Sequence, residues 1–298
     1  MERVFSKRGV VVWLSMATVL ATGGVAAPPI ERFALFDAAE TNKWSIAESS
    51  LKLSDEKAPD GSPALHWHVT VDHTAGEIKY PIGWPRFGRA IPEGAAQDWS
   101  PWDSLHFWLR ADTTRPALPR EPVGLGLYTP DKTSAFQRPL TELLKGVWVE
   151  LDIPLREIAR HHDVRQIQFH IAESKYAHGD QLDLLVAGPE LRRAARPTLL
   201  EFSAERAVMF ADAPVIPLRF RVSGVKTGEF AQVVAAIRTG DKSVFETTLH
   251  LGRGEHRIEL DTKDARLAPG EYQIEATIKG DQEKKTGNLR LIQSPWAK

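Results

Sequence analysis

The stretch Asp98-Trp-Ser-Pro-Trp-Asp-Ser-Leu-His-Phe-Trp-Leu-Arg-Ala-Asp112 decides the fold of the longer part of this chain. Its first residues favour a turn, because Asp and Ser side chains bond to nearby backbone and Pro fixes its own φ. From residue 105 onward two sets of side chains alternate: Leu105, Phe107 and Leu109 form one, and His106, Trp108 and Arg110 form the other. A period of two is that of a β-strand, which turns the first set towards a core and the second towards the opposite face.

The same alternation recurs on both sides of this strand, with turn signals between the runs. The clearest runs cover residues 65–71, 78–84, 123–128, 147–153, 167–171 and 182–186. Many short alternating strands, without a long helical pattern, predict an antiparallel β-sandwich of the jelly-roll type.

The last hundred residues differ in composition but also predict strands. Seven of the nine tryptophans lie in residues 28–197, whereas residues 198–293 contain none. About seven strands fit into residues 199–293, and Leu267-Ala-Pro-Gly-Glu-Tyr272 resembles the turn and tyrosine before a late strand of an immunoglobulin-like domain. The expected order is a jelly roll over residues 28–193, a linker over 194–198, an immunoglobulin-like β-sandwich over 199–293 and a tail over 294–298.

The first residues have the features of a targeting segment. Arg3, Lys7 and Arg8 precede an apolar run over residues 10–21, and small residues at 25–27 precede two prolines. This order predicts a secretory signal peptide over residues 1–27, cleaved after Ala27, and hence a secreted protein, either periplasmic or extracellular. The apolar run is too short for a comfortable membrane span, so no membrane span is expected.

Charge and cysteine content narrow the class of partner. The formal net charge is −1 and becomes −3 once residues 1–27 are removed, which argues against nucleic acid or an anionic membrane as partner. The chain contains no cysteine, so disulfides cannot stabilise it and a lipoprotein anchor is excluded. Stability must come from two apolar cores, helped at most by a bound metal.

Several short motifs occur along residues 31–190 in a recognisable order. They are Phe36-Asp37 followed by Trp44, Asp60-Gly-Ser-Pro-Ala-Leu65, the stretch of residues 98–112, Gly146-Val-Trp148-Val-Glu-Leu-Asp-Ile and Leu182-Asp183-Leu. This set resembles the galactose-binding-like jelly rolls of carbohydrate-binding modules, which accompany secreted glycoside hydrolases. The resemblance implies the fold and, beyond it, non-catalytic binding of a glycan or polysaccharide. The same sandwich also serves as a purely structural module.

Outward-facing strand positions supply the candidate ligand-binding residues. Trp108, Arg110, Tyr128 and His170 are the first choice, joined by Gln168, His66, His68 and His106. Sugar C–H groups stack on aromatic faces, and Arg, His and Gln can bridge hydroxyl pairs, so a platform of these side chains suits a glycan. The alternative is that Trp108 and Trp148 pack under loops or against the second domain, since Trp is mostly buried.

The sequence contains two further candidate binding sites. A loop-borne aromatic site would use Trp84, Phe87, Trp99 and Trp102 at one end of the sandwich, although a Trp beside Pro in a turn often packs as a lid on the core. For a metal, His66-X-His68 places two imidazoles on one face of a strand, with His106 or His170 as a third ligand; the alternative is that these histidines are solvated or hydrogen-bonded.

The resemblance also implies a structural calcium between the first and last strands of the jelly roll. Asp37, Glu40 and Asp183 are the candidate ligands, because calcium prefers oxygen.

Catalysis is the weaker hypothesis. Gln168-Phe-His170, with Arg110 and Tyr128, resembles the Gln-X-His, Arg and Tyr set of jelly-roll alginate lyases, but the Tyr-Phe-Lys-Ala-Gly motif of that family is absent. No glycosidase carboxylate pair can be selected, and no nucleophile-elbow, P-loop or dinucleotide-binding motif occurs. We therefore assign no catalytic residue. Three functions stay open: glycan binding, a structural or adhesion module that binds a cell-surface or secreted protein, and a polysaccharide lyase.

Overall fold

A computed structural model describes residues 29–74, 83–131, 133–213, 215–261 and 267–296. These residues form nineteen β-strands and three short 3-10 turns, so the all-β fold predicted from the alternation is confirmed. The predicted signal peptide lies outside the described residues, as does most of the strand predicted over residues 78–84.

Eleven strands build the first sandwich. They are β1 (Ile30–Ala34), β2 (Ser45–Ala47), β3 (Ser50–Lys57), β4 (Pro63–Thr70), β5 (Arg86–Ala90), β6 (Ser104–Thr113), β7 (Gly124–Tyr128), β8 (Ser134–Pro139), β9 (Trp148–Pro154), β10 (Gln166–His170) and β11 (Gln181–Ala194). The 3-10 turns are Thr41–Lys43, Leu155–Glu157 and Glu173–Lys175.

These strands form two antiparallel sheets. One has the order β3-β4-β11-β6-β9, with β1 paired to the last residues of β11, and the other has the order β2-β5-β10-β7-β8. Between β4 and β11, every connection except β7–β8 crosses from one sheet to the other. Repeated crossing between two packed sheets is the arrangement of a jelly roll.

The core between the sheets consists of the inward residues of the alternating strands. Leu105, Phe107 and Leu109 of β6 are fully buried in it, as the sequence predicts. Phe107 meets Phe169 edge to face at 5.8 Å between ring centroids, and Phe169 stacks on Phe87 at 5.1 Å. Aromatic pairs at such distances stabilise a core beyond the apolar area that they bury.

Eight strands build a second sandwich. They are β12 (Thr198–Ala204), β13 (Val208–Phe210), β14 (Val215–Ser223), β15 (Ala231–Thr239), β16 (Lys242–Leu251), β17 (Gly254–Asp261), β18 (Gly270–Ile278) and β19 (Lys284–Ile292). One sheet has the order β12-β14-β17 and the other β13-β19-β18-β15-β16, with a separate core between them. Tyr272 donates its hydroxyl to the carbonyl of Ala268 at 2.8 Å, as a tyrosine corner does. The immunoglobulin-like topology and the domain boundaries stay predictions.

The turn that opens the deciding stretch joins the two sandwiches. The carboxylate of Asp103 accepts a hydrogen bond from the Ser223 hydroxyl, and the Ser100 carbonyl accepts one from Arg253. Gly224 has a φ of +68°, and a Cβ there would overlap the Arg196 carbonyl, so this position requires glycine.

Within the described residues, no helix is long and apolar enough to cross a membrane.

Candidate functional site

The first sandwich has two outer faces, and the predicted ligand-binding residues are divided between them. We call the outer side of the β3-β4-β11-β6-β9 sheet the histidine face; it carries His66, His68, His106, Trp108, Arg110 and Asp183. We call the outer side of the β2-β5-β10-β7-β8 sheet the glycine face; it carries Gly88, Gly124, Gly126, Tyr128, Gln168 and His170.

The expected single platform of Trp108, Arg110, Tyr128 and His170 is therefore not formed. Trp108 and Arg110 lie on β6, whereas Tyr128 and His170 lie on β7 and β10 of the opposite sheet. A whole core separates the two pairs. The strand periodicity identified outward residues correctly, but it does not tell which sheet a strand joins.

On the histidine face, Trp108 is packed against the sheet and covered. Its register neighbours Ala187 and, one strand further, Ala64 are small and buried, which leaves room for the indole beside Leu185. Ala58, in the turn after β3, closes this cluster from above. The alternative that Trp108 packs under a loop thus describes its surroundings.

Polar contacts hold the covering segment in place. The carboxylate of Glu56 accepts hydrogen bonds from Arg110 and, at 2.9 Å, from the indole Nε1 of Trp148. These bonds lower the pKa of Glu56, chiefly through Arg110, against the opposing effect of burial. Arg110 is thereby engaged with the protein itself.

His106 is almost wholly buried in an ion-pair network on the same face. Its Nε2 lies 2.9 Å from Glu150, and Arg192 contacts Glu150 at 3.1 Å and Glu190 at 2.7 Å. Burial and the charge of Arg192 lower the pKa of His106, although the hydrogen bond to Glu150 opposes them. This histidine is structural.

The glycine face is built differently, because side chains are missing where two rings lie. Gly126 precedes Tyr128 by two residues on β7, and a Cβ at Gly126 would come within 2.8 Å of the Tyr128 hydroxyl. Gly124 opposes His170 across the β7–β10 pair, and a Cβ there would come within 2.5 Å of the imidazole Nε2. Both rings therefore lie along the sheet rather than stand up from it.

Two amides extend this flat surface. Gln137 of β8 donates to the Tyr128 hydroxyl at 3.2 Å, and Gln168 of β10 donates to it in a long contact of 3.5 Å. A phenol oxygen that accepts from amides keeps its own O–H as a donor. Gly88 lies beside Gln168 in the β5–β10 register and is buried, with the Gln166 amide nitrogen 3.2 Å from the place of its missing Cβ.

An exposed tryptophan forms the rim of the glycine face. Trp84 meets the His170 ring edge to face at 5.6 Å, and the Arg86 guanidinium lies 4.8 Å from the Trp84 ring centroid. Burial lowers the pKa of His170, so this imidazole is neutral at pH 7. Its Nδ1 has no hydrogen-bond partner among the described residues.

A pair of carboxylates lies beneath this rim. Glu48 and Glu173 converge on the Cα of Gly83, the residue before Trp84, and Glu173 is buried with one oxygen lacking a partner among the described residues. Burial raises the pKa of Glu173, a backbone hydrogen bond from Asp72 opposes the rise, and the charge of Glu48 adds to it. The backbone just before Trp84 is therefore in contact with two carboxylates, and one of them, Glu173, is buried and has a raised pKa.

A shallow cavity of about 360 Å³ adjoins His170 at the end of the glycine face. Gly124, Gln137 and His170 form part of its lining, together with Lys175 and Glu121, which pair at 3.2 Å. Its lining offers one amide, an imidazole and paired charges, which are groups that bind hydroxyls.

The three acids predicted to bind calcium are not brought together. Asp37 accepts a hydrogen bond from the backbone of Ala39, and Glu40 pairs with Arg89 and, at 2.5 Å, with Lys43. Asp183 lies on the histidine face, seven residues along β11 from the position that pairs with β1. This ligand set was therefore wrong. The order of the motifs along the chain does not tell which part of the long strand β11 lies beside β1.

The loop-borne aromatic site is only partly formed. Trp99 is buried and donates to the Ala96 carbonyl, while Trp102 packs between Phe33 and Arg193. Phe87 is buried in the core between the sheets, so Trp84 alone of the four predicted residues reaches the glycine face.

Sequence reasoning missed the glycines of this face and Gln137. The signal was the segment Gly124-Leu-Gly-Leu-Tyr128, because a glycine at an outward strand position often marks a place where another group lies close to the backbone.

The lyase set is also divided. Tyr128, Gln168 and His170 share the glycine face, but Arg110 is on the other sheet and bound to Glu56. The nearest arginine by register is Arg86, which opposes His170.

Comparison with known proteins finds similarity in solved structures only. No protein-family model matches the chain, and no curated protein does. A family 11 carbohydrate-binding module from Clostridium thermocellum, in complex with a β-1,3-1,4-mixed-linked tetrasaccharide, is 13% identical with a TM-score of 0.35, over 56% of this chain and 96% of that one. A CBM4 structure is 14% identical with a TM-score of 0.28, over 53% and 94%.

Longer enzymes are found as well. A β-1,2-glucanase from Parabacteroides distasonis is 11% identical with a TM-score of 0.34, over 89% of this chain but 37% of the glucanase. The chain thus spans little more than a third of that enzyme. Likeness at these scores carries no inference about ligand or activity, which must come from the residues of the two faces.

Proposed function

We propose that this protein binds a glycan on the glycine face of its first sandwich, without cleaving it. The observation that carries the proposal is the pair of rings laid flat over glycine, Tyr128 over Gly126 and His170 over Gly124. A flat aromatic surface bordered by amides is what a sugar ring needs. No other arrangement on the described surface of this sandwich combines these groups without a covering segment.

The chemistry of the face matches that of a sugar in two ways. Pyranose C–H groups pack on aromatic faces, for which Tyr128 and the exposed Trp84 are available. Ring hydroxyls donate and accept in pairs; Gln137 supplies a donor and an acceptor and Arg86 supplies donors at the edges, while the buried Gln168 contacts the Tyr128 hydroxyl from within the sheet. A linear chain of sugars running from Trp84 across Tyr128 would meet both kinds of contact.

Two features favour binding without catalysis. No aspartate or glutamate occupies an outward strand position of the glycine face among the described residues; of the carboxylates nearby, Glu121 pairs with Lys175 and Glu173 is buried. His170 has no described partner that would orient its Nδ1, whereas a general base is normally oriented by a third group. With the predicted signal peptide, we place this binding outside the cytoplasm.

A glycan array on the purified protein, read beside its Trp84→Ala variant, tests the proposal. Trp296→Ala is the matched control, because both tryptophans are exposed, Trp84 by 45% and Trp296 by 78%, and Trp296 lies in the tail beyond β19. We expect retention on a defined family of glycans, weakened at least about tenfold by Trp84→Ala, or about 1.4 kcal/mol, and unchanged by Trp296→Ala.

Silence across the array with a folded protein would overturn glycan binding and favour a module that recognises a protein partner. Release of unsaturated uronates from a bound polymer would overturn the non-catalytic part and favour the lyase. Equal losses in both tryptophan variants would remove the glycine face from the proposal.

A further inference from the structure

The histidine face carries a cluster that the proposed glycan site does not use. His66 and His68 stand two residues apart on β4, and Asp183 opposes His68 on β11. Oδ1 of Asp183 lies 2.7 Å from Nε2 of His66 and 2.8 Å from Nδ1 of His68. Among the described residues, this is the one group of three such side chains whose ligand atoms all lie within 4.8 Å of one another.

We propose that His66, His68 and Asp183 bind a divalent transition-metal ion, zinc. Two imidazoles and one carboxylate are a donor set of zinc sites that keep an open position. Calcium takes oxygen ligands, so two nitrogen donors disfavour it. This site differs from the predicted calcium site in its ion and in two of its three ligands.

The strands hold the three donors close to the geometry that zinc requires. Zinc bonds of about 2.0–2.1 Å in a tetrahedral arrangement place ligand atoms about 3.3 Å apart. The 2.7 and 2.8 Å separations from the Asp183 oxygen to the two histidine nitrogens need to widen by only about half an ångström, and all three donor atoms lie within 4.8 Å of one another. Without metal, each imidazole hydrogen-bonds to the same carboxylate oxygen, which keeps all three aimed at one point. Metal binding replaces the protons in those hydrogen bonds: each neutral imidazole gives up the proton on the nitrogen that faces Asp183 and takes one up on its other ring nitrogen, so a lone pair faces the ion and each ligand stays a neutral imidazole.

Access and charge also suit an ion. The side chains of His66, His68 and Asp183 are exposed by 23%, 36% and 39%, so an ion can enter and keep water in its open position. Burial raises the pKa of Asp183, but the hydrogen bonds from His68 and His66 outweigh it and hold the pKa below its ordinary value.

Neighbouring groups complete the surroundings. Asp112 opposes Asp183 on β6 and adds a second negative charge, partly offset by Lys145 at 3.8 Å. The Thr70 hydroxyl lies 3.4 Å from Nε2 of His68, the ring nitrogen that does not face Asp183. Such a contact to the far nitrogen is how outer groups orient a metal-binding histidine. Lys52 opposes His66 on β3 and is the neighbouring cation that acts against the site.

The test is a calorimetric titration, near neutral pH, of the chelator-stripped protein with zinc alone. We expect one zinc per chain, and loss of that equivalent in the double variant His66→Asn, His68→Asn. Asp183→Asn, which keeps the size of the side chain, should weaken binding by more than about tenfold, the scale found when even an outer-shell partner is lost. Thermal unfolding of each variant confirms that it is folded.

His178→Asn is the matched control. His178 also lies near a histidine and an aspartate, with its ring 6.0 Å from that of His73 and its Nδ1 3.5 Å from Asp72. We expect this variant to bind zinc like the unmodified protein. An equal loss in His178→Asn, or no zinc uptake by the unmodified protein, would overturn the site, as would full uptake by the double variant.

A second variant tests the sign of the local charge. Lys52→Gln removes the opposing cation and should tighten zinc binding without changing its stoichiometry, whereas unchanged or weaker binding would contradict the placement. Because the cluster lies on the sheet opposite the glycine face, glycan retention should be the same with and without zinc. Failure of either proposal therefore leaves the other standing.

Discussion

The two outer faces of the first sandwich carry similar residues but use them in opposite ways. On the histidine face, Trp108 fills the space over Ala64 and Ala187 and is covered by the end of β3, whose Glu56 is bound by Arg110. On the glycine face, Tyr128 lies over Gly126, and no described segment covers it. Small residues beneath an aromatic ring thus produce a buried cluster on one side and an open surface on the other. The two faces therefore differ in whether a segment of chain covers the aromatic ring, and not in how the ring lies on the sheet.

The largest expected effect is on stability, from the covered ring. Trp108→Ala removes an indole from its cluster and should lower the free energy of unfolding by about 3 kcal/mol, near the lower end of the range for aromatic-to-alanine changes. Glycan retention of the folded protein should be unchanged. Urea unfolding measures the first and affinity electrophoresis the second. Lost retention with unchanged stability would reverse the roles of the two faces.

A change beneath the open ring should act on binding instead. Gly126→Ala places a methyl group where the Tyr128 ring lies and tilts that ring off the sheet. Glycan affinity should fall between about twofold and tenfold, the scale of one aromatic contact. Gly270→Ala is the control, since its nearest neighbour lies 3.8 Å away in the second sandwich. If the two alanine variants bind alike, the flat ring is not part of the site.

The faces should also differ in their response to pH. His106 has a lowered pKa in the folded protein, so the stability it contributes is complete above its ordinary pKa of 6.5 and falls as pH drops from that value through the lowered pKa of the folded state. Glu173 has a raised pKa, so its contribution is complete below its ordinary value of 4.5 and falls as pH rises. Replacement by Gln isolates each group.

The two Gln variants should therefore show opposite trends in melting temperature. Glu173→Gln should be more stable than the unmodified protein at neutral pH, with the advantage shrinking towards acid. His106→Gln should remove part of the destabilisation that the unmodified protein shows on acidification. Parallel curves for a variant and the unmodified protein would contradict the cause given for that group.

The smallest effect is expected from Arg110. Its ion pair with Glu56 is partly exposed, and such pairs contribute between about 0 and 1 kcal/mol. Arg110→Gln should lower the free energy of unfolding by no more than that, with a larger effect at low than at high salt. Urea unfolding at two salt concentrations measures it. A loss comparable to that of Trp108→Ala would show that the covering segment depends on this pair.

The success of the sequence reasoning differed from residue to residue. Leu105, Phe107 and Leu109 were placed in the core by alternation alone, because strand geometry fixes which side chains share a side. Tyr128 and His170 were recognised as outward for the same reason. Their partners Gly124 and Gly126 went unnoticed, since a glycine shows its purpose only when the side chain lying over it is known.

Other expectations failed on information that alternation does not contain. Trp108 and Tyr128 were expected on one face, but sheet membership depends on which strands pair across long stretches of chain. Asp183 was assigned to calcium by analogy with jelly rolls, whereas its register on β11 places it against His68. The pair His66-X-His68 was visible in the sequence, and its third neighbour was not.

The sequence by itself determined the all-β class and the inward and outward side of each strand. Those properties depend on local periodicity and on turn residues, which act over a few positions. The tertiary structure alone decided which outward residues meet, which aromatic ring is covered and where the Asp183 carboxylate lies. These depend on crossings between two sheets and on register between strands far apart in the chain, where a shift of one residue would turn every side chain to the other side.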